Sequence, residues 1–269
     1  HREYVERLGG YMLKAVREAK LRTSWLEPDP AYEAALSDFV SKLLEPRSSL
    51  RFLDDFGRFE SGVRKAGLLN ALSQLVLKGT MPGIPDFYQG SEIWELHLVD
   101  PDNRGPVNFE LRRSLLRGVL EEASEDGCAA FVDRAIQSLE DGRLKLYLTR
   151  KLLELRSTRP PLFERGEYAP LGAEGPWSEN VVAFTRFLPE DHVVVAVGRF
   201  FAKLPEPALG SAWENTELRG LPGAPSTYRD VLTGRRTESR LSPRGRELPL
   251  TEIFHHAPFA ILEPKASSK

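Results

Sequence analysis

Glu92, Asp100, Asp102, Asn103 and Arg104 lie close together in one polar stretch, with Tyr88 and Gln89 just upstream. Carboxylates and amides accept from, or pair with, adjacent hydroxyl groups, so such a loop has the chemistry to hold a sugar. The same residues have a plainer reading. Asp, Asn and Pro dominate turns for local reasons, and on residue types alone Asp100-Pro101-Asp102-Asn103 is better read as a turn. No other motif competes. There is no Gly-x-Gly-x-x-Gly, Walker loop or His-Glu-x-x-His, and no Ser, His and Asp arrangement stands out. His255-His256 falls on an expected β segment, where alternation sends the two rings to opposite faces, away from any shared metal. His97 and His192 read as surface or packing residues, and Cys128, at an apolar helical position, as core. We expect no metal site and no cofactor.

The polar loop belongs to a longer segment, Gly79 to Asn108, around which the chain is organised. A short strand, Ile84 to Tyr88, is expected between Pro82-Gly83 and Gln89-Gly90. Upstream, Tyr4, Val5, Leu8, Tyr11, Met12, Ala15, Val16 and Ala19 recur at helical spacing, opposite Arg7, Lys14, Arg17 and Lys20. Asp29-Pro30 supplies a cap and first-turn proline for a second helix, with Tyr32, Leu36, Phe39, Val40, Leu43 and Leu44 as its buried stripe. Trp25, in the polar link, reads as a clamp on the helix–helix corner, with stacking on a sugar as the alternative. Helical pattern resumes from Ser49 to Lys78, with breaks expected at Gly57 and Gly67. Downstream, helices are expected over Leu111 to Leu120, Asp126 to Leu139 and Leu144 to Arg156.

Pro160-Pro161 ends the last helix and marks a domain boundary, giving domains 1–159 and 160–269. Beyond it the period changes. Val181 to Phe187 and Val193 to Val197 flank Pro189-Glu190-Asp191 as a hairpin. Short runs at Thr227 to Leu232, Glu247 to Leu250 and Phe259 to Leu262 complete the pattern of a small antiparallel sandwich.

The 269 residues are 41% hydrophobic and 28% charged with a formal net charge of −2, a globular composition without the basic surface that nucleic acid requires. No run is long enough to cross a membrane and no signal peptide opens the chain. A single cysteine cannot form an internal disulfide and points to a reducing, cytoplasmic setting. The chain opens at His1 directly into a patterned helix, an awkward start for an α/β domain, and reads as a piece of something larger.

Pro82-Gly83-Ile84-Pro85-Asp86-Phe87-Tyr88-Gln89-Gly90-Ser91-Glu92 resembles the eighth-strand segment of the α-amylase superfamily. Gln89 and the run from Ile93 to Val107, with Asp100-Pro101-Asp102-Asn103-Arg104 at its centre, narrow this to the maltooligosyltrehalose synthase family. Tyr11 to Lys20, Thr23-Ser24-Trp25 and Tyr228 to Gly234 are similar to that family too. Gly105 stands where the family usually has a second arginine, and Asn108 where it usually has aspartate. The resemblance implies the C-terminal part of a (β/α)8 barrel, mostly helical here, followed by an antiparallel β-sandwich. It implies a parent that converts the reducing-end α-1,4 linkage of a maltooligosaccharide to α,α-1,1. Tyr88, Gln89, Glu92, Asp100, Asp102, Asn103 and Arg104 would line part of the sugar pocket, with Tyr88 and Glu92 partly bracing the loop. The family's catalytic carboxylates lie on earlier barrel strands, so the partner would be the missing N-terminal barrel portion, and this piece would be inactive alone. Another amylase-type hydrolase or transglycosylase, or a non-catalytic carbohydrate-binding piece, are the competing readings.

Overall fold

The computed structural model describes residues 1–98, 102, 105–221, 225–243 and 245–265. The chain divides into two units, His1–Val63 with Glu95–Val107, and Arg64–Trp94 with Asn108–Lys269.

In the smaller unit, α1 (Arg2–Ala19) pairs with α2 (Pro30–Leu44). Asp29 caps α2 through its carboxylate, which accepts from the amides of Ala31 and Tyr32, with Pro30 in the first turn as expected. The corner between the helices is held differently from the expectation. Arg17 donates from Nε and Nη2 to the two carboxylate oxygens of Glu33 at 2.8 and 2.6 Å, and buried Thr23 donates to Glu33 at 2.6 Å. Trp25 instead points outward, 58% exposed, with the Arg17 guanidinium 4.8 Å from its ring. The expected buried stripe of α2 shrinks to Val40, while Tyr32 and Phe39 are exposed, because a helix pair buries only the strip where its members meet.

Arg17, and then Thr23, hold the Glu33 carboxyl down at about 2 against an ordinary 4.5. A depressed carboxyl stabilises the fold above its unfolded value and loses that contribution as pH falls through the folded one. The α1–α2 pair should therefore loosen between pH 4.5 and about 2. Following helix content by circular dichroism in that window should show an acid-side decline that Glu33→Gln flattens.

The third helix, α3 (Pro46–Thr80), is interrupted at Ser49 (φ −131°, ψ 25°) and not at Gly57 or Gly67, through which it runs unbroken. Each interior glycine costs only about 1 kcal/mol, which continuing helical hydrogen bonds and the packing of the later turns outweigh. In the larger unit, Leu69, Leu72, Leu75 and Val76 of α3 are buried against a core shared with α4 (Phe109–Glu125), α5 (Cys128–Ala135) and α6 (Arg143–Thr158). Gly79 is where α3 meets α6: a Cβ there would stand 2.8 Å from the Leu152 side chain. Pro160-Pro161 ends α6 but also opens a further short helix, α7 (Pro160–Arg165), since a first-turn proline has no amide to waste.

Among the described residues nine strands follow: β1 (Glu167–Glu174), β2 (Val181–Leu188), β3 (Asp191–Gly198), β4 (Glu217–Arg219), β5 (Thr227–Asp230), β6 (Arg236–Glu238), β7 (Arg240–Ser242), β8 (Gly245–Pro249) and β9 (Phe259–Pro264). Their pairing is antiparallel throughout, in the single order β6-β5-β9-β3-β2-β1-β4-β8-β7, rather than as two separate ladders. The β2–β3 hairpin closes with Leu188 opposite Asp191 across Pro189-Glu190, as its sequence predicts. Val193 to Val197 are at most 1% exposed, so β3 is covered on both faces. The helix α7 packs against β2, and α8 (Leu250–Ile253) packs near Trp213, whose ring meets Phe254 edge-on at 4.8 Å.

Ile84 to Tyr88 is the main correction to the expected elements. It is irregular chain, not a strand, and Ile84 is 98% exposed. Among the described residues no strand runs alongside it, and an unpaired strand leaves its backbone donors to water.

Candidate functional site

The Tyr88–Glu92 turn belongs to the larger unit and is built from its own backbone outward. Ser91 donates to the Tyr88 carbonyl from its amide at 3.1 Å and its hydroxyl at 2.6 Å. Gly90 supplies a φ of +93°, which a side-chain-bearing residue adopts only under strain, and lies buried. Beneath the turn sits Arg112, in the first turns of α4 and 7% exposed at its side chain. It donates to Gly90 O at 2.5 Å, to Glu92 Oε2 at 3.0 Å and to Asn108 O at 3.1 Å. Beyond the turn, Lys145 of α6 donates to Ile93 O at 2.9 Å, and Trp94 Nε1 donates to Leu139 O at 2.5 Å. The Glu92 carboxylate is thus engaged inside the protein. Tyr88 is 66% exposed and Gln89 is exposed, leaving their side chains facing outward.

Asp102 belongs to the smaller unit. Its two oxygens receive Nε and Nη2 of Arg7, each at 2.8 Å, in the bidentate geometry suited to a guanidinium, and Oδ2 also accepts from the Leu98 amide at 2.8 Å. Arg7 further donates to Leu96 O at 2.8 Å. These donors, Arg7 first, hold the Asp102 carboxyl well below the usual carboxylate range. His97 lies between Glu95 (Nε2 to Oε2, 2.9 Å) and Asp102 (Nδ1 to Oδ2, 3.9 Å). Asp100, Asn103 and Arg104 lie outside the described residues.

Two arginines that organise these turns escaped the reading by pattern. Arg7 looked like one cation among several on the polar face of α1, and its partner lies 95 residues away. Arg112 falls in a helix whose arginines the pattern does not tell apart. A weak signal existed for the second: Asn108 caps α4 by accepting from the Leu111 amide at 2.9 Å, and Arg112 follows one turn later, aimed back at the cap. Asn caps a helix about as well as Asp, so the departure at Asn108 preserves this start. A Cβ at Gly105 would meet open space.

The His255-His256 pair also needs correcting. The residues occupy a bend before β9, not a strand, and their rings meet edge-on at 4.7 Å. His256 Nδ1 lies 2.6 Å from Asp133 Oδ1. Among the described residues no group of three or more His, Cys, Asp or Glu is placed to hold a metal ion, and no helix is long and apolar enough to cross a membrane.

No family model matches the sequence. Proteins of two Mycobacterium tuberculosis strains that bear the name maltooligosyl trehalose synthase are 31% identical to it over 256 residues, 95% of this chain and 28% of theirs. The structure of maltooligosyltrehalose synthase from Arthrobacter ramosus superposes with a TM-score of 0.72 at 31% identity, covering 97% of this chain and 30% of that one. A Sulfolobus tokodaii structure described as a hypothetical maltooligosyl trehalose synthase gives 0.64 at 28% identity, over 97% of this chain and 29% of that one. Nearly the whole of this fold recurs as one part of each of these longer relatives. The chain is homologous to part of the maltooligosyltrehalose synthases and spans less than a third of the length of the relatives it matches.

Proposed function

We propose that the polypeptide containing this chain converts the reducing-end α-1,4 linkage of a maltooligosaccharide into an α,α-1,1 linkage, as an intramolecular transglucosylase of the α-amylase superfamily. The observation that carries this reading is agreement in sequence and fold with proteins named maltooligosyltrehalose synthase over 95% and 97% of the chain. The motifs at Pro82 to Glu92 and Asp100 to Val107 are consistent with it. Chemically the reaction is a retaining glycoside cleavage with water kept out. One carboxylate attacks the anomeric carbon while a carboxyl group protonates the leaving glucose oxygen. The glucose turns, and its anomeric hydroxyl attacks the anomeric carbon of the glycosyl-enzyme: the nucleophile carboxylate leaves, and the hydroxyl proton goes to the acid/base carboxylate that had protonated the leaving oxygen.

On this reading the catalytic carboxylates lie outside these 269 residues, which alone are inactive. Residues 1–159 contribute the end of a barrel and 160–269 the C-terminal β domain. The chain's own task is to hold sugar, since glucose that escapes before attacking leaves only hydrolysis. Tyr88 and Gln89, exposed at the turn, are the side chains proposed to touch it. Glu92 and Asp102 act by holding their turns, through Arg112 and Arg7. Asp100, Asn103 and Arg104 are assigned to sugar contact by motif. The single cysteine supports a cytoplasmic setting.

Product analysis tests the proposal. The protein expressed from its own gene, given maltopentaose, is expected to yield a product without a reducing end and little free glucose. Glucose and shortened maltooligosaccharides alone would replace the synthase reading with a hydrolase.

A further inference from the structure

Arg186 of β2 is buried, at 1% exposed, and no carboxylate lies against it among the described residues. Its guanidinium is spent on main-chain carbonyls. Nη1 donates to Thr80 at 3.3 Å, Nη2 to Leu162 at 3.1 Å, Phe163 at 3.3 Å and Gly166 at 2.9 Å, and Nε to Glu167 at 3.3 Å. Thr80 is the last residue of α3, and Leu162 to Gly166 form the end of α7. Helix C-termini end in carbonyls without amide partners and carry partial negative charge, so one cation satisfies two of them.

Arg156 of α6 acts beside it. It donates from Nη1 to Gly79 O at 3.3 Å and from Nη2 to Gly83 O at 3.0 Å, with its guanidinium 4.8 Å from the Phe163 ring. Arg186 stands 5.7 Å from the same ring. Burial pushes both guanidiniums down from their ordinary value, and the charge of Arg156 adds to the effect on Arg186. Two like charges sharing one ring and two stretches of backbone, 79–83 and 162–167, are an expensive arrangement, and the carbonyls at Gly79, Thr80 and Gly83 all belong to the exit from α3. From Gly83 the chain runs without secondary structure to Tyr88.

We propose that Arg156 and Arg186 are positioning residues that fix the end of α3 and its exit at Gly83, and thereby aim the Tyr88–Glu92 turn at the sugar. The inference rests on the reading that this turn faces substrate. If the turn drifts, the released glucose is held less well. Water then attacks the glycosyl-enzyme in its place: the water oxygen bonds to the anomeric carbon, the enzyme carboxylate leaves, and the water proton goes to the acid/base carboxylate.

The test uses the protein expressed from its own gene, with Arg156→Met, Arg156→Lys and Arg186→Lys. Arg156 is the milder site, so its variants keep the test alive if the Arg186 variant does not fold. Amide hydrogen exchange is read over residues 83–92 and, as reference, over β3, alongside the ratio of free glucose to trehalose-ended product from maltopentaose. For Arg156→Met we expect exchange at 83–92 to rise about tenfold with β3 unchanged. The glucose fraction should rise severalfold, and Arg156→Lys, able to reach one carbonyl, should fall between. Unchanged exchange at 83–92, or an equal rise in β3, overturns the clamp. A loosened turn with an unchanged product ratio overturns its link to sugar. If the wild-type protein makes no trehalose-ended product, the proposed function falls and the sugar link with it, while the exchange data still decide whether the arginines hold the turn.

Discussion

Arg112→Met is expected to lower the unfolding free energy by about 3 kcal/mol, measured by urea denaturation. The side chain removed serves at least the Gly90 carbonyl, the Glu92 carboxylate and the Asn108 carbonyl at once. Methionine fills much of the volume but donates nothing. The buried Gly90 carbonyl then loses a charge-assisted bond, and Glu92 is left as a carboxylate without that cation. Glu92 is 29% exposed at its side chain, so water recovers part of the loss, and the expectation stays at the low end for a broken buried pair. Glu92→Gln should cost only about 1 kcal/mol, because the amide oxygen still accepts from Arg112. The double variant should cost less than the sum, by about 1 kcal/mol, since one change weakens and the other removes the same charge-assisted bond, and with both made no carboxylate is left unpaired there. Additive losses would show that Glu92 and Arg112 act separately, and would return Glu92 to the set of residues free to contact sugar.

The other large effect is expected at Asp230, at the end of β5. Asp230→Ala should cost about 4 kcal/mol, read as a shift of the urea midpoint at unchanged slope. The carboxylate is buried and accepts from the amides of Leu232, Thr233 and Ile261, at 3.2, 3.2 and 3.3 Å, and from the Thr233 hydroxyl at 2.7 Å. It closes the turn into β6 and ties it to β9, so alanine strands several buried donors together. Asn keeps one acceptor but turns an NH2 toward donors, and should lose about half as much. Burial pushes this carboxyl up, against those four bonds. A carboxyl raised on folding gives most stability below its unfolded value and subtracts as pH rises through the folded one, so Asp230→Asn should also flatten that part of the pH profile.

These two sites show how much the residues disclosed before the fold was known. Asp230 sits in Tyr-Arg-Asp-Val-Leu-Thr-Gly, a run recognisable by its order, and its role is mostly local: three of its four donors lie within three residues. Arg112 carries no such mark. On α4 it is one arginine of three, and only the folded chain shows that it, and not Arg113 or Arg117, turns inward.

The same division runs through the molecule. Caps at Asp29 and Asn108, the Pro189-Glu190 hairpin, the apolar row of α6 and that of the later turns of α3 were determined by the sequence itself, because each depends on residues a few positions apart and on backbone chemistry that acts at that range. Phe52, Phe56, Phe59 and Val63, earlier in α3, follow the same helical pattern yet are exposed. Ile84 to Tyr88 had the composition of a strand, yet a strand is defined by its neighbour, and the described residues provide none. The order of the sheet, with β9 between β5 and β3, was likewise a matter of pairing between distant segments. Tertiary structure alone decided what the candidate sugar residues do. Asp102 and Glu92 have the chemistry to bind hydroxyls, but each is claimed by an arginine far along the chain, where a fixed internal donor outcompetes a transient one. Tyr88 and Gln89, which no side chain claims among the described residues, are left exposed.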